Sequence, residues 1–321
     1  MIKKLTGLTA SVMALASIAS AEVKLDDYFS IDGYATGAAT VTEGTAANDK
    51  ELVDTGRVYD SFLFALNGKY ENFTARVSLL ALDGTNNGLT QDAGLLDAYV
   101  TYKVGEIAIT GGKYLGWLGY ESFHSVNNAF ISFSQATYAS PYSTGAKVEY
   151  LGETFSTGIS VRDSQISTAG GTFFEGDGEF SDDVGYEAYV LYTGIKGLTL
   201  FAGAGYEDVN GFEGVYTWDV WASYAFTDKL SVAAEVSTTE EVTQYSWLIQ
   251  PSYAVSDKLS VAARLTGSDG DNAAGDVIGY GAASTYTLTK NFSVKGEITK
   301  TDATGGAPDV FSYAIQGILK F

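Results

Sequence analysis

Apolar side chains return at every second position along most of this chain, with small or polar residues between them. Tyr216, Trp218, Val220, Ala222, Tyr224 and Phe226 form one apolar row, and Thr217, Asp219, Trp221, Ser223 and Ala225 lie between them. Leu230, Val232, Ala234 and Val236 alternate in the same way with Ser231, Ala233, Glu235 and Ser237. This is the period of a strand with one apolar and one wet face. Helical spacing has no convincing candidate outside the segment 115–140.

The punctuation between these runs narrows the fold further. Tight turns fall near Glu71-Asn72, Gly105-Glu106, Gly152-Glu153, Lys196-Gly197, Thr227-Asp228-Lys229, Ser256-Asp257-Lys258 and Thr289-Lys290-Asn291. Longer segments rich in Gly, Asp and Asn fall near 42–56, 84–92, 115–140, 164–183, 209–214, 239–242, 269–276 and 303–309. Short and long connections therefore alternate, which gives about 16 strands of roughly 9–13 residues. An even strand number with short turns at one end and long loops at the other predicts an all-β, transmembrane antiparallel β-barrel. One turn also recurs: Phe226-Thr227-Asp228-Lys229-Leu230-Ser231-Val232 is echoed by Val255-Ser256-Asp257-Lys258-Leu259-Ser260-Val261 and more weakly by Leu288-Thr289-Lys290-Asn291-Phe292-Ser293-Val294.

Lys3 and Lys4, the apolar run Leu5 to Ile18 and Ala19-Ser20-Ala21 read as a secretory signal peptide over 1–21, leaving a single barrel domain over 22–321. The apolar run falls short of the ~20 residues a spanning helix needs. The chain is thus expected in the bacterial outer membrane. Composition removes other classes. There is no Cys and one His, so disulfide scaffolds and multi-histidine metal centres are excluded. With 39 acids against 19 bases and a formal charge of -20, the chain lacks the basic surface a nucleic-acid binder needs. His124 is the only candidate for histidine-based catalysis, and no Ser/His/acid spacing accompanies it. No enzymatic activity is expected.

The run Tyr313, Ile315, Gly317, Leu319, Phe321 alternates to a Phe. It resembles the C-terminal strand that the barrel-assembly machinery reads in bacterial outer-membrane proteins. The middle third carries a second resemblance. Ala98-Tyr99-Val100-Thr101-Tyr102, Gly112-Lys113, Gly119-Tyr120-Glu121, Asn127, Ser132 and Pro141-Tyr142-Ser143-Thr144-Gly145 follow one another. This spacing resembles the OmpL-like β-barrel porins, and the resemblance implies a passive outer-membrane channel. In 16-stranded porins the third external loop folds inward, and by chain order that segment is 115–140. It carries Trp117, Tyr120, Glu121, Phe123, His124, Phe130 and Phe133, too much apolar surface to project into water. By analogy a homotrimer is expected, with small lipid-facing residues such as Ala35, Gly37 and Ala39 at a subunit interface.

If the apolar rows face lipid, the intervening rows face the lumen. That turns Lys69, Arg76, Lys103, Lys147, Arg162, Arg264, Lys295 and Lys320 inward, with Asp97, Glu149, Glu187, Glu207, Asp219, Glu235 and Glu297. The opposite register would put these charges against hydrocarbon at about 2–4 kcal/mol for each Lys or Arg at mid-depth. Glu121 is expected at the constriction, faced by Arg76, Lys147 and Arg162, with Asp97 and Arg264 also lining the pore. Two roles for Glu121 stand open: a filter across the pore, or a salt bridge that anchors the loop.

Excess acid falls in the long loops: Glu43, Asp49, Glu51 and Asp54; Glu175, Asp177, Glu179, Asp182 and Asp183; Asp269, Asp271 and Asp276. It reads as a cation-concentrating vestibule or as a solubilising surface. Asp177-Gly178-Glu179 and Asp269-Gly270-Asp271 have ligand chemistry for divalent cations bridging to lipopolysaccharide, but neither completes an EF-hand loop. No cofactor is expected. The function expected is a water-filled porin for small hydrophilic solutes with a mild cation preference. The alternative is a plugged barrel acting as a binding or structural envelope protein.

Overall fold

The computed structural model describes residues 22–43, 51–53, 61–82, 93–134, 142–164, 184–207, 214–239, 243–269, 276–303 and 309–321. The expected signal peptide therefore lies outside the described residues, as do much of the acidic long loops and residues 135–140 of the third loop.

The strands run in chain order as β1 (Val23–Lys24), β2 (Phe29–Glu43), β3 (Glu51–Val53), β4 (Ser61–Tyr70), β5 (Phe73–Leu82) and β6 (Ala93–Val104). They continue as β7 (Ile107–Leu115), β8 (Tyr142–Leu151), β9 (Phe155–Arg162), β10 (Gly185–Tyr192), β11 (Leu198–Glu207) and β12 (Val215–Ala225). The last are β13 (Leu230–Thr239), β14 (Thr243–Ala254), β15 (Leu259–Asp269), β16 (Val277–Thr287), β17 (Phe292–Ala303) and β18 (Val310–Lys320). From β4 onward each strand pairs antiparallel with the next, and β18 pairs with β2, which pairs with β4. The result is a closed antiparallel barrel of 16 strands, with β1 and β3 as short additions on β2. Closure leaves no free sheet edge, the condition for strands to cross hydrocarbon.

The burial pattern is inverted relative to a water-soluble barrel. On β12 Tyr216, Trp218 and Val220 are 58, 42 and 49% exposed, whereas Thr217 and Asp219 between them are 1 and 0% exposed. Apolar rows face outward and polar rows inward, as the membrane-spanning reading requires. The register with β5 shifts between Val77 and Leu79, where Ser78 alone faces two residues of β6, so β6 carries a bulge that breaks the alternation. It turns two consecutive residues, Leu96 and Asp97, into the buried interior.

The repeated sequence motif becomes a repeated turn. The hydroxyls of Thr227, Ser256 and Thr289 accept from the amides of Leu230, Leu259 and Phe292 at 2.9, 3.1 and 3.0 Å. Each side chain thereby closes its own turn. At the β4–β5 and β6–β7 turns Glu71 and Gly105 adopt the left-handed backbone, φ 50° and 60°. The seam is finished by Phe321. Its amide donates to Gly33 O at 3.0 Å and its carbonyl accepts from Gly33 N at 2.8 Å. Its ring stacks on Phe62 at 6.1 Å and lies where a Cβ on Gly33 would sit, so a side chain at position 33 would displace it.

Candidate functional site

The segment after β7 turns into the barrel, as its apolar content requires. Three wall carboxylates, one each from β10, β12 and β13, bind four consecutive amides in order. Glu187 Oε1 accepts from Trp117 N and Leu118 N at 2.7 and 3.0 Å. Asp219 accepts from Gly119 N at 2.7 Å, and Glu235 from Tyr120 N at 2.7 Å. Gly119 adopts φ 104°, a backbone that favours glycine, at the step from one strand's acid to the next. Further along, Glu297 on β17 accepts from Ile131 N and Ser132 N at 2.5 and 3.1 Å.

Cations hold the other polarity of the backbone. Lys295 Nζ donates to the carbonyls of Ser125 and Asn128 at 2.9 and 2.6 Å, and Lys320 Nζ donates to Asn127 Oδ1 at 3.0 Å. Ser125–Asn127 forms a single 3₁₀ turn between these anchors. Charge-assisted bonds to a peptide group are roughly twice as strong as neutral ones.

Glu121 and Arg264 form a buried ion pair at 2.7 Å. Arg264 also donates to Ser132 O and Oγ at 2.8 and 3.0 Å and lies 4.2 Å above the Phe130 ring. The second oxygen of Glu121 accepts from Ser134 N at 2.6 Å, tying the two arms of the loop together. Packing is equally specific. A Cβ on Gly203 of β11 would stand 2.3 Å from Leu118 Cδ2, and one on Gly281 of β16 would stand 2.6 Å from the Phe130 ring. Glycine at these wall positions makes the room that the loop fills.

The loop tip crosses to the opposite wall. Phe123 and Val126 pack with Tyr34, Leu63, Leu80, Leu96, Tyr142 and Ile318. His124 sits between two hydroxyls, Nδ1 3.0 Å from Tyr34 Oη and Nε2 3.1 Å from Tyr142 Oη. Burial, with help from Arg76 and Lys320, lowers its pKa to about 4, so the ring is neutral at pH 7. Burial and the neighbouring Glu121 and Glu235 push the Tyr120 hydroxyl up.

Of the other expected lining residues, Arg76, Asp97 and Lys147 stand on the wall that these anchors leave, whereas Arg162 lies beside the Glu187 anchor. Arg76 donates to Asp32 Oδ2 at 2.8 Å, to Asp97 Oδ2 at 3.2 Å and to Asn67 Oδ1 at 2.8 Å. Lys147 lies 3.3 Å from Glu149 and against the rings of Tyr114 and Trp117. Arg162 is fully buried, 3.8 Å from Glu187. The six residues singled out from sequence thus divide: Glu121 meets Arg264, Arg76 meets Asp97, and Lys147 and Arg162 meet other acids. Asp32, Asn67 and Tyr34 carry no signal in the sequence, and Tyr142 stands there only within the family motif, although Asp32 and Asn67 lie in inward rows opposite the row of Arg76. Among the described residues no group of three or more metal-ligating side chains converges.

Three solved structures share this architecture. OprB of Pseudomonas putida is 13% identical, with a TM-score of 0.72 over 92% of this chain and 95% of its own. OmpF of Salmonella typhi is 15% identical, with a TM-score of 0.69 over 94% of this chain and 100% of its own. The outer-membrane channel DcaP of Acinetobacter baumannii is 12% identical, with a TM-score of 0.64 over 91% and 97%. These similarities establish the fold. A comparison with curated proteins finds no match. The family model described as "Putative beta-barrel porin-2, OmpL-like" matches residues 34–307, well over half of the chain. The chain therefore belongs to the OmpL-like β-barrel porin family of outer-membrane barrels.

Proposed function

We propose that the chain forms a water-filled channel through which small hydrophilic solutes and ions diffuse passively across the bacterial outer membrane. The observation that carries this reading is the charged inner wall, whose acids and bases hold an infolded loop by its backbone. A lumen lined by charge and narrowed by a fixed loop can sort solutes by size and sign without covalent chemistry. No enzymatic step is assigned. Arg76, Asp97 and Lys147 are the proposed lining residues, and Glu121, Arg264 and Arg162, buried beneath the loop, are proposed to shape the constriction by holding it in place. The expected mild cation preference belongs to the acidic external loops rather than to the wall.

The protein is proposed to be exported by residues 1–21, to mature as one barrel over 22–321, and to be assembled through the strand ending at Phe321. Lipopolysaccharide, with divalent ions at the loop carboxylates, and two further copies of the chain are its proposed partners. The outward row of Ala35, Gly37 and Ala39 would suit a subunit interface.

A second reading, a plugged barrel serving as a binding or structural envelope protein, draws on one observation. The loop tip packs into an apolar cluster on the wall opposite the Glu187, Asp219 and Glu235 anchors. Single-channel recording of the folded protein in a planar bilayer separates the two. Stable conductance steps support the channel, and a folded barrel without steps supports the plug.

A further inference from the structure

The loop divides the inner wall into two unequal parts. Where it lies, charges are sealed: side-chain exposure is 0% for Arg162 and Glu187 and 6 and 5% for Arg264 and Glu121. On β2 and β4–β8 the loop tip covers only the stretch around Tyr34, Leu63, Leu80, Leu96 and Tyr142, and charges nearer the β4–β5 and β6–β7 turns keep contact with the lumen: 21 and 20% for Arg76 and Asp32, 16 and 13% for Lys147 and Glu149. The uncovered wall is therefore where a solute would meet charge.

The register builds a belt across that wall. Lys69 pairs with Thr74, Thr74 with Thr101, Thr101 with Thr110, and Thr110 with Lys147. All five lie in inward rows on adjacent strands, spaced by roughly 4.8 Å per step. Arg76 stands above the belt in the row of Thr74, and Lys103 stands below it in the row of Thr101.

Hydrogen-bond accounting sets the sign of this surface. The acids nearby already have acceptors in use. Asp32 takes Asn67 Nδ2 and both terminal nitrogens of Arg76. Asp97 takes Ser78 Oγ and Arg76 Nε. Glu149 takes Trp117 Nε1, Tyr189 Oη and Lys147. Lys69 is exposed and Lys103 half-buried, and neither forms an ion pair with a described carboxylate. These acids hold Arg76 and Lys147, so Lys69 and Lys103 carry the positive surplus of the belt.

We infer that this belt is an anion-reading strip, with Lys69 and Lys103, beside the acid-paired Arg76 and Lys147, favouring small carboxylate, phosphate or halide anions on the path along β2 to β8. The inference rests on the channel reading. It sets the wall against the external acids, so the chain's net charge of -20 does not predict what passes.

The test is the reversal potential of single channels in a potassium chloride gradient. The wild-type chain is compared with the double variant Lys69→Glu/Lys103→Glu, with Lys258→Glu on the β14–β15 turn as the control for charge at the same end. The double variant should lower the chloride-to-potassium permeability ratio by roughly threefold or more, at retained conductance, and the control should leave it nearly unchanged. An unchanged or raised ratio in the double variant overturns the belt, as does an equal fall in the control. A folded barrel without conductance steps overturns the channel reading and the belt with it.

Discussion

The carboxylate of Glu121 and the guanidinium of Arg264 meet at 2.7 Å across 143 positions of sequence, and both are buried. Removing one partner strands the other charge in a dry place. Arg264→Met is expected to destabilise the loop's seating by about 3–5 kcal/mol while the closed strand ladder persists. Adding Glu121→Gln should recover much of that loss. Cleavage by chymotrypsin at the loop's aromatic residues, compared between single and double variants, reads the effect.

Gly203 offers a steric counterpart. With Leu118 Cδ2 2.3 Å from the place of its absent Cβ, Gly203→Val should cost about 1–3 kcal/mol and push the loop off the β11 wall. Leu118→Ala in the same chain should relieve part of the clash. A double-mutant cycle on thermal unfolding and on single-channel conductance checks whether the two positions couple.

Acid should loosen the loop tip. His124 is neutral between Tyr34 and Tyr142, and burial, reinforced by the charges of Arg76 and Lys320 and opposed by that of Asp32, lowers its pKa to about 4. The folded-state value is lower than the unfolded one. The stability it contributes is therefore complete above about pH 6.5 and is lost as pH falls through about 4, on the order of 3 kcal/mol in full. Channel noise and chymotrypsin sensitivity should rise over that window in the wild type and flatten in His124→Asn.

The barrel seam gives a fourth expectation. Gly33→Leu would bring its Cβ to 2.1 Å from Leu63 O and into the Phe321 ring. It should reduce the yield of heat-modifiable, folded barrel several-fold, whereas Gly37→Ala, with nothing within 4 Å, should fold normally. Gel mobility with and without heating tells them apart.

How far the sequence carried this picture depends on the range of the interaction. Period-two rows and turn residues are local signals, so the turns at Glu71, Gly105, Thr227, Ser256 and Thr289 and the inward rows could be read directly. Leu96 and Asp97 show the limit: alternation can turn only one of two neighbours inward, and the bulge they form on β6 is set by its pairing with β5, where Ser78 alone faces both. The site was legible as a set of residue types but not as pairs. Which base meets Glu121 depends on how a loop lands on a wall strand 143 positions away, and nothing near Arg76, Lys147 or Arg264 in sequence distinguishes them. Asp32 was passed over because a lone acid in an alternating row looks ordinary until Arg76 is folded against it.

Glu187, Asp219 and Glu235 grip the loop by peptide N–H groups at four consecutive residues. A peptide amide is the same for nearly every amino acid. The hold itself therefore does not read the side chains at 117 and 120, whereas Leu118 is fixed by its packing on Tyr189 and Phe201 and the glycine at 119 by its backbone. Mutational tolerance should be lopsided: broad where the loop faces the solute, narrow on the acids behind it. The part of the molecule that meets the outside chemistry is the part most free to drift.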